Sequence, residues 1–315
     1  MMRSLYSGVA GLRTHQTRMD VVGNNISNVN TFAYKSQRAT FRDLYYQTIR
    51  GASNGKNAMQ LGYGAQVGSV DTLHMRAGYM PTDRPQDIYI DGEGFIVVND
   101  PKSDTKMYTR VGALSFMPEI DPVTGAETSS FKVVDMNGNP VMGLNATAPV
   151  YTGTPPVLTT AGKINSALFN EGVAVTPPAE PSGLISESSL EQINIPDFAK
   201  YTDVTIGDDG IITGIRDDKV HDLGAIPIAR ISNPEGLTMQ GNSYYKAIKN
   251  TGEIDFAQAG TNGIGSMTTG ALEMSNVDLA KEFTEMITTQ RGYQANSRII
   301  SVVDEMLQEL VNLKR

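Results

Sequence analysis

The chain is predicted to be an α+β protein. Its N- and C-terminal helices pair in a coiled-coil-like core domain, and its middle forms a mainly antiparallel β outer domain. Three observations predict this. Leu279, Phe283, Met286, Gln290, Tyr293, Ser297, Ile300, Val303, Leu307 and Leu310 recur at steps of three and four near the C-terminus. Leu5, Val9, Leu12, Gln16, Met19 and Ile26 start the same rhythm at the N-terminus. The long stretch between them reads as strands, turns and loops. An apolar stripe at about 3.5-residue spacing asks for a helical partner, and placing half of that partnership at each end of the chain brings the termini together. A two-helix pair is too narrow to cover its own surface, so neighbouring subunits are expected to complete it.

The first helix is predicted from residue 3 to about 29. Beyond Met19 its stripe slips in phase through Val22, Ile26 and Val29, with Gly23 in the regular place, which a coiled coil registers as a stammer. Asn24, Asn25, Ser27, Asn28, Asn30 and Thr31 end it, because these side chains compete for backbone hydrogen bonds. Ala39 to Ile49 reads as a further short helix. Gly51 to Gly78 reads as an extended connector with short strands, where Gly62, Gly64 and Gly68 break any helix. The predicted division is 1–35 with 272–315 as the helical core domain, 36–80 as connector, 81–145 with 188–271 as the β-rich domain, and 146–187 as a Pro-rich insertion or small outer subdomain.

Strand signals begin at Asp87–Asp91, and Phe95–Asn99 returns after the Gly92-Glu93-Gly94 turn, a hairpin pattern. They continue at 107–111, 114–117, 132–136, 141–144, 191–195, 202–206, 211–215 and 223–232. The last helix is expected to start at Ser275 or Asn276 as N-cap and to run to about Leu313. Its 38 residues span roughly 57 Å at 1.5 Å per residue, about threefold longer than an ordinary globular helix.

Net charge is −8. Residues 1–50 carry seven Lys/Arg against two Asp/Glu, and residues 271–315 carry five against seven, leaving −11 for the middle. The basic first segment has a partner of opposite sign in the last helix, and the acidic total argues against nucleic acid. There is no cysteine, which excludes disulfides, thiolate metal sites and cysteine nucleophiles. No run of about 18 apolar residues exists, so no stable membrane insertion is expected. Residues 1–8 lack the apolar stretch of a cleaved signal.

Candidate chemistry is sparse. His15, His74 and His221 fall in three separate segments, with no metal-pair spacing, and read as solvated or capping groups. Gly92-Glu93-Gly94 joins two strands and does not open a helix, so it reads as a turn and not a dinucleotide loop. Asp208, Asp209 and Asp217 read as turn residues, since the full calcium loop is absent. No catalytic, cofactor or metal residue is assigned, and no enzyme is expected. A secreted enzyme or adhesin with a ligand-binding β domain is the competing class.

Ser4 to Leu12 and Asn24-Asn25-Ile26-Ser27-Asn28-Val29-Asn30-Thr31 resemble the N-terminal signature of the flagellar rod and hook proteins. Leu272-Glu273, Ser275-Asn276-Val277-Asp278-Leu279 and Gln290-Arg291-Gly292-Tyr293-Gln294-Ala295-Asn296-Ser297-Arg298 resemble its C-terminal signature. Asp91 to Phe95, Tyr108-Thr109-Arg110 and Asn233 to Leu237 extend the likeness through the middle. Asp278 to Phe283, Gly292 to Ala295 and Gly51 to Gly62 look hook-like, with the distal rod as the alternative. The family usually has glycine where Ala33 stands; if that glycine needs a positive φ, the alanine implies a different turn after the first helix.

The resemblance implies a structural subunit that is exported unfolded through the flagellar type III apparatus. It also implies assembly beneath a hook cap into a curved hollow homopolymer that passes motor torque to the filament. The implied partners are further copies of itself, the distal rod, the hook cap, the hook–filament junction proteins and the export apparatus, at the cell exterior. The expected assembly seam is Leu5, Val9, Leu12, Met19, Ile26, Leu279, Phe283, Met286, Tyr293, Ile300, Val303, Leu307 and Leu310. Gly51, Gly62, Gly64 and Gly68 are the expected hinge.

Overall fold

The computed structural model of the chain describes residues 2–52, 55, 57–120, 127–146, 150–152, 157–160, 185, 189–217, 219–261 and 263–313. They form two compact units, one from residues 1–75 and 275–315, the other from 76–274. The class is α+β: one long helix at each end and antiparallel strands between them.

In the first unit, helix α1 (Met2–Ser27) lies against helix α2 (Leu279–Leu313). The residues expected to form a connector with short strands build a long antiparallel hairpin, and its strands replace the short helix expected at Ala39 to Ile49. Strand β1 (Gln37–Asp43) and strand β2 (Tyr46–Arg50) run out, and strand β3 (Met59–Gly62) and strand β4 (Ala65–Thr72) return. β1 pairs with β4 and β2 with β3, and Leu44 N to Gly64 O and Tyr63 N to Tyr45 O carry the ladder across the join. β-branched and aromatic residues (Thr40, Phe41, Tyr46, Thr48 and Ile49 on the outgoing strands, Val67 and Val70 on the returning one) favour pairing over a helix here, with Phe41 opposite Val67. Of the expected hinge glycines, Gly62 and Gly68 therefore sit inside strands. Gly64, at φ 113°, brings the hairpin against Ser7 and Ala10 of α1, and Gly51 is exposed with open space around it.

Among the described residues, the strands of the second unit pair antiparallel. Its largest sheet orders Thr238–Gly241, Tyr244–Lys246, Thr105–Thr109, Phe95–Asp100, Ile228–Ile231 and Ile254–Ala257. Phe95-Ile96-Val97-Val98 is apolar at every position because both faces of this sheet are covered. Ile96 and Val98 join one core with Met107, Val141 and Ile193, while Phe95 and Val97 join a second with Tyr108, Tyr245 and Phe256. Ile88–Asp91 does not pair with Phe95–Asp100 as the hairpin reading expected; it pairs with Ser266–Thr269. Gly92 and Gly94, at φ 137° and 140°, turn the chain from one sheet to another, and strand alternation alone does not distinguish such a corner from a hairpin. The span 223–232 is divided between Lys219–Ala225 and Ile228–Ile231. Most of 146–187 lies outside the described residues; its described part includes an antiparallel pair, Val150–Thr152 with Val157–Thr160.

Candidate assembly surface of the helical unit

Two structural demands shape the helical unit: close approach of α1 to α2, and a junction that holds the ends of both helices to the hairpin. Small residues meet the first. A methyl group on Gly8 would stand 3.3 Å from Ile300 Cγ1, on Gly11 2.5 Å from Asn296 Nδ2, and on Gly292 2.6 Å from His15 Cε1. These glycines leave room for close approach, which an apolar-stripe reading passes over. One ion pair, Arg18 to Glu285 at 3.1 Å with both side chains 32% exposed, joins the helices. It adds at most about 1 kcal/mol at such exposure.

The asparagine-rich signature meets the second demand. Asn25, buried, donates to Gln37 O at 2.9 Å and accepts from Gln37 N at 2.9 Å, as a neighbouring strand would. Tyr34 donates to Asn25 Oδ1 at 3.2 Å, and Asn24 donates to the Tyr34 hydroxyl at 3.2 Å. Asn28 returns to Asn24 O at 2.9 Å, and Thr31 donates to Asn28 Oδ1 at 3.1 Å. Asn276 accepts from Ser36 N at 2.7 Å and donates to Leu73 O at 2.9 Å, so it ties both ends of the hairpin to the entrance of α2. Lys35, fully buried, donates to Met75 O at 2.7 Å. These side chains complete backbone groups that three converging segments leave open.

One expectation is corrected at this junction. Ser275 and Asn276 do not cap α2. Asp278 does, accepting from Ala280 N at 2.9 Å and Lys281 N at 3.2 Å, which leaves Asn276 for the hairpin and starts the helix at Leu279. Ala33, in the turn after α1, itself adopts φ 54° with its side chain fully buried. An L-residue in this region costs about 1–2 kcal/mol, which the surrounding bonds offset.

Glu282, buried in the first turn of α2, closes the junction. Burial pushes its carboxyl above the usual range, the Asn25 side chain pulls it partly back, and Glu285 adds to the rise. Burial, with Glu282 beside it, pushes the Tyr34 phenol up to about 12. A carboxyl raised in the folded state gives its full stability below its unfolded value near 4.5 and loses it as pH rises through the folded value. Falling pH, from neutral towards 4.5, is therefore expected to relieve the Glu282 charge. Glu282→Gln should flatten that part of the pH–stability curve, as read by helix melting at pH 7 and pH 5. An unchanged curve would show that Glu282 is not the group responsible.

The expected seam residues divide into two sets. Leu5, Val9, Leu12, Met19, Ile26, Met286, Ile300 and Leu307 are half-buried and Val303 is buried within the single chain. Leu279, Phe283, Tyr293 and Leu310 are exposed, as are Ile287, Ile299, Val302, Met306, Val311 and Leu313. The polar residues placed in the stripe, Gln16, Gln290 and Ser297, face solvent, and so do Asn30, Arg291 and Arg298. Towards its C-terminus α2 carries an apolar groove lined by Val302, Met306, Leu310 and Leu313, with Glu305 and Glu309 beside them. No described helix is long and apolar enough to cross a membrane, and no described acidic or histidine cluster suits a metal ion.

Residues 5–35 match the flagella basal body rod protein model, 89–214 the flagellar hook protein FlgE/F/G D1 domain, and 268–313 the flagellar basal body rod FlgEFG protein C-terminal model. The chain is 37% identical over 323 positions to the flagellar basal-body rod protein FlgG of Bacillus subtilis, covering all of both chains. It is 29% identical over 443 positions to the flagellar hook protein FlgE of Borreliella burgdorferi and 27% over 465 to that of Treponema pallidum, again across all of both chains. These relatives are structural flagellar proteins, and this chain is a structural protein of the flagellum, not an enzyme. It belongs to the FlgE/F/G family of flagellar rod and hook proteins.

Proposed function

We propose that the chain is the repeating subunit of a hollow axial tube, the flagellar hook, that passes motor torque to the filament. The observation that carries the polymer reading is the second apolar face of α2. One face is spent on α1, while Val302, Met306, Leu310 and Leu313 remain open in a single chain. A contiguous open apolar face on a helix marks an interaction site, and further copies of the same chain supply the helices that cover it, in coiled-coil fashion. The partners of such a subunit are its own copies, the distal rod, the cap, the junction proteins and the export apparatus that delivers it unfolded. Exposed Gly51, at the far end of β2, is the proposed point of give.

Burying Met306 or Leu310 contributes about 1.5–3 kcal/mol each, repeated in every subunit. Met306→Asp and Leu310→Asp are expected to leave the β-rich unit folded and export intact, and to abolish tubes in electron micrographs of isolated hook–basal bodies. Normal tubes from either variant would move the assembly surface elsewhere.

The hook reading rests on the hook-like residues Asp278 to Phe283 and Gly292 to Ala295 and on end-to-end likeness to hook proteins of two organisms. A distal-rod reading is favoured by the 37% relative and by length, since that alignment spans 323 positions against 443 and 465 for the hook relatives. Gold-labelled antibody on purified hook–basal bodies decides between them. Label along the curved external segment supports the hook, and label confined to the straight segment within the basal body supports the rod.

A further inference from the structure

His15 sits where three elements of the helical unit meet. Its imidazole occupies the space left by the missing side chain of Gly292, whose Cβ would stand 2.6 Å from Cε1 and 2.7 Å from Nε2. Its ring meets Phe41 of β1 edge-on, with centroids 6.1 Å apart at 83°. Nδ1 is sealed from solvent and has no hydrogen-bond partner among the described residues. The charged groups on the surrounding elements do not favour an imidazolium. Arg18, one turn along α1, lies over the Phe41 ring at 5.5 Å from its centroid and is itself engaged with Glu285 of α2. Arg291 of α2 is exposed beside Gly292. Arg42 of β1 lies against the Gln66 amide of β4. No described carboxylate pairs with His15.

We propose that His15 is a proton-operated latch of the helical unit. Neutral, it fills the gap between α1, α2 and β1; protonated, it loosens their packing, so that acid releases the helices. A cation at this position gains a second positive neighbour and a desolvated nitrogen with no acceptor, and both raise the free energy of the closed form. Burial and Arg18 accordingly hold the imidazole below its usual value. Because the folded value is depressed, the latch is fully closed above the unfolded value near 6.5 and is lost as pH falls below it. Glu282, whose carboxyl burial raises, acts in the opposite sense. The tube readout rests on the proposed axial function; the helix readout does not.

The test takes tubes purified from cells carrying wild-type chain, His15→Asn or His15→Gln, incubates them in steps from pH 8 to pH 4.5, and measures sedimentable protein. Wild-type tubes are expected to disassemble with a midpoint below pH 6.5, and both variants are expected to shift that midpoint down by a pH unit or more. Identical midpoints would overturn the latch. If the wild-type chain makes no tubes at pH 7.5, the axial reading has failed. The latch is then read on the soluble chain by far-UV circular dichroism. A helical loss between pH 6.5 and 5 that His15→Asn abolishes supports it, and the same loss in both chains, or none in either, overturns it.

Discussion

Arg110→Ala is expected to lower the stability of the β-rich unit by about 3–5 kcal/mol. Arg110 and Glu273 are 3% and 1% exposed and pair at 3.1 Å. The alignment at those two atoms is poor for a hydrogen bond, so the contact is chiefly electrostatic. Further contacts hold the two groups: Arg110 donates to Gly92 O, Glu273 accepts from Ala77 N at 3.3 Å, and the guanidinium lies 5.7 Å from the Phe95 ring centre. Removing the arginine leaves a buried carboxylate without its counter-charge, and that loss, more than the net worth of the pair, sets the size of the effect. The double replacement Arg110→Met with Glu273→Leu should recover most of it, because neither charge is then buried. Urea unfolding followed by tyrosine fluorescence suits a chain with 13 tyrosines and no tryptophan. A shift under about 1 kcal/mol for Arg110→Ala would mean that the pair is solvated and holds little.

Val303→Asp is expected to separate α1 from α2 while the β-rich unit stays folded. Val303 is 3% exposed on the inner face of α2. The substitution removes its buried apolar surface and puts an unpaired carboxylate in its place, two of the few mechanisms that reach about 4–5 kcal/mol. Its neighbour Val302 is 51% exposed on the open face, so Val302→Asp should leave the helices of a single chain paired. Helical circular dichroism and amide exchange in residues 5–27 and 279–313, recorded beside the tyrosine signal, distinguish the outcomes. Equal loss of helix in both variants would contradict the division of α2 into an inner and an outer face.

The helices, the family signatures and most of the β strands were legible because they are written in local pattern. A stripe at steps of three and four, a glycine-bounded alternating run and an asparagine cluster at a helix end each depend on near neighbours. The hairpin of residues 37–72 was not legible as such. Its glycines and polar residues read as a connector, and its pairing joins positions as far apart as Gln37 and Thr72. The corner at Gly92 to Gly94 failed in the same way: alternation marks both strands, but which sheet each one joins is a long-range matter. Ser275 and Asn276 were plausible caps by type, and Asp278 took that role because Asn276 is held by Ser36 and Leu73.

By itself, the sequence determined an α+β chain with a long helix at each end, since periodicity and composition are properties of the chain alone. Only the tertiary structure decided which apolar residues of α2 are spent on α1 and which remain open. It alone decided that Gly8, Gly11 and Gly292 leave room for the facing side chains, with His15 against Gly292, and that Arg110 and Glu273 share a buried site. The physical reason is common to all three. Close approach, burial and charge pairing are set by distances between residues far apart in sequence, and a period along one helix names a face without saying what that face meets.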